Sequence, residues 1–314
     1  MKTILGLDIG GTKILGILYD EKGRELAREK KKTKANEGLE VVINQIYKVI
    51  DNLMAYENSE LTAIGAGVPG LVNDEGMIAF SPNIPFRDFT LGKKLSEKYT
   101  VPVYVGNDVN VAMFGEYKHI EHRASKHVLG IFIGTGVGGA IIIDGKLYTG
   151  QGSAGEFGHM VVSADGAYCG CGAQGCLEAY ASKTAIQKYI SKQLVKGRKS
   201  MFKELLEEDG AVLKSSSIRK AFDAEDELAK EVVDRLSRYM GIAVGNLINL
   251  YHPELIIIGG GITEALGDIL LDKIISESRQ HAMPGLLGTV KFNVSELADE
   301  AGVFGAYHLA KNML

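Results

Sequence analysis

The chain has 314 residues, of which 46% are hydrophobic and 24% charged, with a formal net charge of −4. Such a composition is that of a soluble globular protein, and the length suits two lobes better than one core. Lysine and arginine form no basic stripe, and no apolar run reaches the ~20 residues of a membrane span. Because only seven residues precede Asp8, no signal peptide is expected. We expect a reduced, cytoplasmic protein that binds neither nucleic acid nor membrane.

The first segment is predicted to be three strands joined by turns. The apolar run TILGLDI ends at the turn GGTK, ILGILYD resumes it, and EKG turns into RELAREK. Apolar residues at helical spacing predict a helix over 37–56. A strand at 62–68, a helix at 91–99, a strand at 101–105 and a helix from about Val109 follow.

A second copy of the first segment lies 124 positions later, as HVLGIFI, GTGVGG, AIIID and GKL. This offset matches Ile9 with Ile133 and Gly10 with Gly134. Two copies of one strand–turn–strand unit indicate two lobes of related build. Two unrelated hairpins with glycine turns are the alternative, and the pairing alone does not decide between them.

The remainder is predicted to be helical from the cysteine cluster to about Tyr251. A strand in PELIIIGGGI, a helix near 265–281, the strand TVKFNV and a helix from about 300 follow. Alternating strands and helices predict an α/β architecture. We expect an N-terminal lobe of residues 1–118 and a C-terminal lobe of residues 119–314, with the last helix returning to the first lobe.

Three glycine clusters follow apolar strands: DIGGTK at 8–13, IGTGVGG at 133–139 and IIIGGGI at 256–262. Glycine lets a ligand approach the backbone, and successive amide groups can bind an anion. None has the spacing of a Walker A loop, and none matches the dinucleotide fingerprint with a helix directly following. Each alone is typical of a tight turn. Together they predict a triphosphate held by two hairpin turns, with the third cluster leaving room for adenine.

Polar residues of the first cluster are suited to a nucleotide. Asp8, at the end of the first strand, could enter the shell of a Mg²⁺ ion, and Thr12 and Lys13 could contact phosphate oxygens. For Lys13 the alternative is a solvated lysine in a turn.

All three cysteines lie within eight residues, at Cys169, Cys171 and Cys176, and His159 precedes them. One imidazole and three thiolates form the closed tetrahedral set that zinc takes in structural sites. The alternative is three reduced thiols in a loop, but AYCGCGAQGC offers little core in which to bury them. The spacing excludes a C-x-x-C redox pair. The sequence therefore predicts a structural zinc site.

Eight motifs occur in order between residues 8 and 262: DIGGTK, GVPGLV, SPN, GNDVN, GTGVGG, GEFGH, CGCGAQGCLEAYAS and IIIGGGI. In them the chain resembles the ROK family of sugar kinases and related repressors, in particular its glucokinase branch. The resemblance implies the two-lobed actin/hexokinase-like ATPase fold with duplicated βββαβα-type lobes. It also implies a homodimer or homotetramer that binds a sugar, ATP, Mg²⁺ and a structural Zn²⁺.

The resemblance assigns roles residue by residue. Asp108 matches the catalytic base and contacts the sugar, whose other ligands are Gly67, Asn83, Asn107, Glu156, His159 and Glu178. The nucleotide ligands are Asp8, Gly10, Gly11, Thr12, Lys13, Gly134, Thr135, Gly136, Gly138, Gly260 and Gly261. The zinc ligands are His159, Cys169, Cys171 and Cys176, so that His159 would serve both metal and sugar.

Spacing alone favours other roles for two of these residues. Asp108 precedes a helix, as an Asx-turn or capping residue does, and Glu178 would pass as a solvated glutamate of a first helical turn. Only the resemblance favours a catalytic role for Asp108 and a sugar-binding role for Glu178. The zinc lies between Glu156 and Glu178 in sequence and would hold both in place.

These features predict an ATP-dependent hexose kinase that makes glucose 6-phosphate, with Mg²⁺–ATP bound between the lobes. Kinases for N-acetylglucosamine, N-acetylmannosamine, fructose or allose are the alternatives, and polyphosphate remains open as a donor. A sugar-responsive repressor is disfavoured, because its helix-turn-helix domain would precede the first glycine motif.

Overall fold

The computed structural model describes residues 1–57, 59–73, 75–119 and 125–313. They divide into two compact units. The first unit comprises Met1–Ala124, Ala140–Gly155 and Asp299–Leu314, and the second comprises Ser125–Gly139 and Glu156–Ala298. Of the helices built from the described residues, none combines the length and the apolar character that crossing a membrane requires.

Strands and helices alternate along the chain. The strands are β1 (Lys2–Ile9), β2 (Lys13–Asp20), β3 (Glu25–Lys32), β4 (Glu60–Val68), β5 (Leu71–Val72), β6 (Ile78–Phe80), β7 (Arg87–Phe89), β8 (Val103–Asn107), β9 (Val128–Ile133), β10 (Val137–Ile143), β11 (Lys146–Tyr148), β12 (Leu255–Gly259) and β13 (Lys291–Val294). The helices are α1 (Leu39–Met54), α2 (Leu91–Tyr99), α3 (Asp108–His119), α4 (Glu178–Ala181), α5 (Lys183–Val195), α6 (Phe202–Glu208), α7 (Ser215–Asp223), α8 (Glu227–Tyr251), α9 (Gly261–Leu266), α10 (Asp268–Ser278) and α11 (Ala301–Lys311).

The two large sheets have the same strand order. The first is β3-β2-β1-β4-β8 and the second is β11-β10-β9-β12-β13. In the first sheet β1 pairs antiparallel with β2 and parallel with β4, and in the second β9 pairs parallel with β12. Ile9 and Ile133 each end a strand, and Lys13 and Val137 each begin the next one. The predicted α/β class and its duplicated unit are therefore confirmed.

The first sheet buries apolar side chains on both faces. Alternation along β2 sends Ile14 and Leu18 into a core that includes α1, whereas Leu15, Ile17 and Tyr19 pack with residues of α11. The apolar stripe of α1 is buried at Val42, Ile43, Ile46, Val49, Ile50 and Leu53, whereas Leu39 at the start of the helix is only partly buried. The inner strands β1, β2 and β4 are therefore mostly apolar, because a sheet covered on both faces leaves no solvated side there, whereas the edge strand β3 is largely charged.

Glycines let α11 lie directly on the first sheet. A Cβ on Gly65 of β4 would lie 1.8 Å from the carbonyl oxygen of Ala306, and one on Gly6 of β1 would lie 2.3 Å from that of Val303. Any larger residue at these two positions would push the helix away from the strands. Close packing here fixes the N-terminal end of α11 beside the end of β1.

The structure differs from the sequence prediction in two segments. A small sheet, β5-β6-β7, stands between β4 and α2, and its strands of two or three residues are too short to show a period. The helix predicted near 265–281 begins at Gly261 and is interrupted at Gly267, whose φ is +57°. A helix therefore does follow the third glycine cluster directly, contrary to the prediction.

Candidate active site and metal centre

The first glycine turn connects β1 and β2. The N–H of Gly10 donates to the carbonyl of Lys13 at 2.9 Å, and the hydroxyl of Thr33 donates to the carbonyl of Gly10 at 2.5 Å. A Cβ on Gly11 would lie 2.9 Å from the Cβ of Asn83, so Asn83 lies directly against the turn. This places a predicted sugar ligand beside predicted phosphate ligands within the first unit.

Thr12 and Lys13 complete this turn. The side chain of Lys13 forms an ion pair with Asp299 at 2.8 Å, and the carbonyl of Thr12 accepts from the N–H of Thr33 at 3.0 Å. Asp299 is largely exposed, so the pair is weak and the ammonium group can turn to a phosphate at little cost. Lys13 thus has a charged partner in the first unit, at the surface of the turn.

Asp8 lies where three parallel strands end together. Asp8 pairs in register with Gly67 of β4, which pairs with Gly106 of β8. Burial, and to a smaller extent the negative charge of Asp108, raise the pKa of the Asp8 carboxyl from 3.8 to about 6, while Lys13 opposes the shift. Two carboxylates near one another in a partly buried place are suited to binding a cation, which would favour the charged form of Asp8.

Asn107 and Asp108 open α3. The side-chain oxygen of Asn107 accepts from the N–H groups of Val109 and Asn110, at 2.9 and 3.1 Å, and its amide donates to the carbonyl of Gly70 at 3.0 Å. Asn107 is thus the residue that caps the helix. Asp108 is the first helical residue and its carboxylate also accepts from Val109 at 2.9 Å. The capping role that spacing favoured for Asp108 therefore belongs mainly to Asn107.

The second glycine turn connects β9 and β10 and holds Glu178. The N–H of Gly134 donates to the carbonyl of Gly136 at 2.9 Å, and the N–H of Val137 donates to Oε2 of Glu178 at 2.9 Å. A Cβ on Gly136 would lie 2.4 Å from that carboxylate oxygen. The hydroxyl of Thr184 donates to the carbonyl of Thr135 at 2.8 Å, which ties the turn to α5. Predicted nucleotide and sugar ligands of the second unit therefore touch one another.

Gly138 and the third glycine cluster lie close to this turn. Gly138 lies within β10, one residue beyond Val137. Gly260 has a φ of +90°, and a Cβ there would lie 2.5 Å from the carbonyl oxygen of Ile133. A Cβ on Gly261 would lie 3.3 Å from the hydroxyl of Ser215. Gly260 thus lies directly against Ile133, the last residue before the second turn.

The cysteine cluster forms a compact ligand set. One ligand atom from each of four residues lies within 4.8 Å of the others, and these residues are His159, Cys169, Cys171 and Cys176. Nδ1 of His159 is 3.7 Å from Sγ of Cys169, and Sγ of Cys171 is 3.8 Å from Sγ of Cys176. Tetrahedral ligands at the Zn–N and Zn–S lengths of zinc lie roughly 3.5–3.8 Å apart. The four residues therefore fit one zinc ion.

Burial affects the protonation of two of the thiols. Burial raises the pKa of the Cys176 thiol to about 12 and also raises that of Cys169. Without a cation these groups stay protonated, and metal binding would release their protons. The loop is short and closed on itself, because Cys169 donates its N–H to the carbonyl of Ala173 at 2.8 Å.

His159 joins the ligand set to two carboxylates. Its Nδ1 faces Cys169, whereas its Nε2 lies 4.0 Å from Oε2 of Glu156. Sγ of Cys169 in turn lies 3.8 Å from Oε1 of Glu178. One ring nitrogen of His159 is therefore directed to the cluster and the other is available to a hydroxyl, as a residue with two roles requires.

Sequence reasoning missed three residues that contact the predicted site. Asp299 pairs with Lys13, a Cβ on Gly302 would lie 3.0 Å from Cγ of Asp8, and Ser215 lies beside Gly261. Asp299 and Gly302 lie nearly 300 positions from their partners, and no local pattern marks such a contact. Ser215 is the first residue of α7 and lies in the polar stretch KSSS, which has no motif that marks a binding site.

Two sheets of identical strand order, each with a glycine turn after its first strand, define a protein of the actin/hexokinase-like class. The chain belongs to the ROK family, whose model matches residues 4–313. The family predicted from the motifs is thereby confirmed.

Three similar proteins illustrate this membership. A glucokinase of Halalkalibacterium halodurans is 36% identical over 313 residues, with 98% of this chain and 94% of that protein covered. A ROK family glucokinase from Streptomyces griseus, in complex with glucose and AMPPNP, matches with a TM-score of 0.82 and 34% identity over 99% of both chains. A xylose repressor of Caldicellulosiruptor bescii is 29% identical over 308 residues, which cover 96% of this chain and 76% of the repressor.

Proposed function

We propose that this ATP-dependent sugar kinase transfers the γ-phosphoryl group of ATP to the 6-hydroxyl of glucose. The observation that carries the proposal is the position of Asp108, the first residue of α3, beside Asn107 and near Asp8. A carboxylate so placed can accept a proton from a sugar hydroxyl. The 36% identity to a glucokinase over nearly the whole chain supports glucose as the sugar.

Asp108 is the proposed general base. The acceptor hydroxyl is far too weak an acid to ionise at neutral pH, so its proton must leave as the new oxygen–phosphorus bond forms. Asp108 takes this proton, the bond between the γ-phosphorus and the β–γ bridging oxygen breaks, and ADP leaves. Asn107 is held by Gly70 and by the start of α3, so its position is fixed before the sugar binds.

The remaining first-unit residues are proposed to bind phosphate and sugar. Gly10, Gly11 and Thr12 offer backbone N–H groups and Lys13 offers an ammonium group to phosphate oxygens. Mg²⁺, when held at Asp8, would neutralise charge on the phosphates. Gly67 and Asn83 are the proposed sugar contacts of this unit besides Asn107 and Asp108.

Three residues of the second unit are proposed to bind the sugar: Glu156, His159 and Glu178. Carboxylates and an imidazole accept and donate hydrogen bonds to hydroxyls and so distinguish one sugar from another. The backbone of Gly134, Thr135, Gly136 and Gly138 is proposed to contact phosphates, and that of Gly260 and Gly261 the adenosine.

A zinc ion bound by His159 and the three cysteines would hold the sugar-binding residues in place. Cys169 lies between His159 and Glu178, at 3.7 and 3.8 Å. Four protein ligands leave no open position on the metal, so we assign it a structural role. Cysteines used as metal ligands support a reduced, cytoplasmic location, and we expect a homodimer or homotetramer.

A coupled assay with a panel of sugars tests the function. Glucose, mannose, fructose, allose, N-acetylglucosamine and N-acetylmannosamine are each offered with Mg²⁺–ATP, and the Asp108→Asn variant gives the background rate. We expect the highest kcat/KM with glucose. Preference for an N-acetylated sugar or fructose would move the chain elsewhere in the family. Sugar binding without phosphorylation of any sugar would favour the repressor-like alternative.

A further inference from the structure

Three tyrosine rings surround the guanidinium group of Arg235 in α8. Its Cζ lies 5.1 Å from the ring centre of Tyr180, 4.8 Å from that of Tyr189 and 5.1 Å from that of Tyr239. All three distances lie within the ≈6 Å at which a cation is attracted to an aromatic face. The rings of Tyr180 and Tyr239 also stack, with centres 3.9 Å apart. One cation therefore joins α4, α5 and α8.

A neighbouring carboxylate, that of Glu231, accepts hydrogen bonds from other side chains. Glu231, one turn before Arg235, accepts hydrogen bonds from the hydroxyl of Tyr189 and from Nη1 of Arg198. The positive charge of Arg235 also acts on Glu231, but the hydrogen-bond donors to this carboxylate are Tyr189 and Arg198. Arg235 is half-buried, so its attraction to the rings is only partly screened by water.

Tyr180 connects this aromatic cluster to the metal-binding loop. Tyr180 is only 5% exposed, and its hydroxyl accepts a hydrogen bond from the N–H of Ala167 at 2.6 Å. Ala167 lies two residues before Cys169. A Cβ on Gly166 would lie 1.8 Å from the same hydroxyl, so the loop lies directly against Tyr180. Movement of this ring would therefore move the loop.

Tyr180 also shares one helical turn with Glu178. The helix α4 spans only Glu178–Ala181, and a helix of four residues has no stability of its own. Its position therefore depends on contacts with its neighbours, among them the stack of Tyr180 on Tyr239 and the contact of Tyr180 with Arg235. On the other side, Glu178 is held by the N–H of Val137 at 2.9 Å.

We propose that Arg235 is a positioning residue for sugar binding, which acts through Tyr180 to hold Glu178 in its binding position. This inference rests on the proposed function, in which Glu178 binds the sugar. Loss of the guanidinium group releases the Tyr180 ring, and α4 then samples positions in which Glu178 no longer meets the sugar. Asp108 belongs to the first unit and keeps its environment, so the chemical step of a bound sugar is unaffected.

The test compares Arg235→Met, which keeps the length of the side chain but removes its charge, with Arg235→Lys, which restores a cation. Arg238→Met is the matched control, since Arg238 lies on the same helix and lines the same 540 Å³ cavity as Arg235. Glucose affinity is measured by calorimetry without nucleotide, beside zinc content and steady-state kinetics. We expect Arg235→Met to raise the Kd and KM for glucose about 5- to 20-fold, as loss of a cation shared by three rings implies. We expect kcat within about twofold of wild type, zinc content unchanged, partial rescue by lysine and no effect in the control.

Two results would overturn the inference. Glucose affinity within twofold of wild type in Arg235→Met would show that Glu178 does not depend on this contact. A parallel loss of glucose affinity, ATP affinity and kcat would show that Arg235 supports the unit as a whole. If Arg235→Met does not fold, Arg235→Gln takes its place under the same criteria. Wild-type protein that binds no glucose would instead refute the proposed function itself.

Discussion

The carboxylate of Glu178 accepts a hydrogen bond from the backbone N–H of Val137, the first residue after the second glycine turn. The same N–H lies next to Gly136, where a Cβ would approach the carboxylate to 2.4 Å. A proposed sugar ligand and a proposed phosphate-binding turn are thus in direct contact. Displacement of one is expected to disturb the other.

The Gly136→Ala substitution tests this contact. The new methyl group would push the Glu178 carboxylate away, because the carboxylate is the flexible end of its side chain. Loss of one hydrogen bond to a charged group costs about 1.5 kcal/mol, so we expect about a tenfold higher Kd for glucose. Gly134→Ala is the control, since a Cβ there meets no atom within 4 Å. It should leave glucose binding intact and raise the KM for ATP. Equal glucose affinity in both variants would contradict the prediction.

The Asp108→Asn variant separates chemistry from binding. Asparagine keeps the shape and can still bond the sugar hydroxyl, but it cannot take the proton. Removal of a general base typically costs ~10²–10⁴-fold in rate, so we expect kcat to fall by at least that factor with a much smaller change in glucose affinity. Because Asn107 caps α3, the variant should unfold at nearly the wild-type temperature. Turnover near the wild-type rate would remove Asp108 from the mechanism.

The Cys171→Ser variant tests the metal site. Wild-type protein is expected to contain about one zinc per chain by elemental analysis, and the variant much less. Its thermal stability should fall, since the binding free energy of a structural metal is part of the folding free energy. Glucose affinity should fall as well, because Cys169 lies beside Glu178. Tyr168→Ala, at a side chain that is 78% exposed in the same loop, should change none of these. A metal-free protein with full stability and sugar affinity would refute the scaffold role.

The raised pKa of Asp8 predicts that the free energy of unfolding depends on pH. Its folded pKa of about 6 lies above the unfolded value of 3.8. The folded state therefore gains stability from the protonated group at low pH and loses it as the pH rises from about 4 through 6. In magnesium-free buffer Asp8→Asn should match wild type near pH 4 and exceed it by about 2–3 kcal/mol at pH 7 in urea unfolding, while losing activity.

The Asp299→Asn substitution should change stability in the direction opposite to Asp8→Asn. The hydrogen bond and charge of Lys13 lower the pKa of Asp299, so its contribution is present above pH 4 and is lost as the pH falls. This variant should be slightly less stable than wild type at pH 7.

For Asp8→Asn, a difference in the free energy of unfolding from wild type that does not change with pH would show that the Asp8 carboxyl titrates normally.

The sequence predicted those features that have a local signature. The duplication was visible because Ile9 and Ile133 end equivalent strands, and the ligand cluster was visible because its cysteines are close in sequence. Contacts such as Lys13 with Asp299, or Gly302 with Asp8, join residues far apart and leave no periodic pattern. The division of labour between Asn107 and Asp108 also required coordinates, since both residue types cap helices.

The packing of α11 on Gly6 and Gly65 has a consequence for biosynthesis. The ribosome makes β1, β2 and β4 early, but the helix that covers one of their faces emerges only after the entire second unit. Until then Leu15, Ile17 and Tyr19 have no partner from α11 and remain available to other apolar surfaces. A nascent chain that stops before Ala301 should therefore be retained by chaperones or aggregate. The first unit is begun first and completed last.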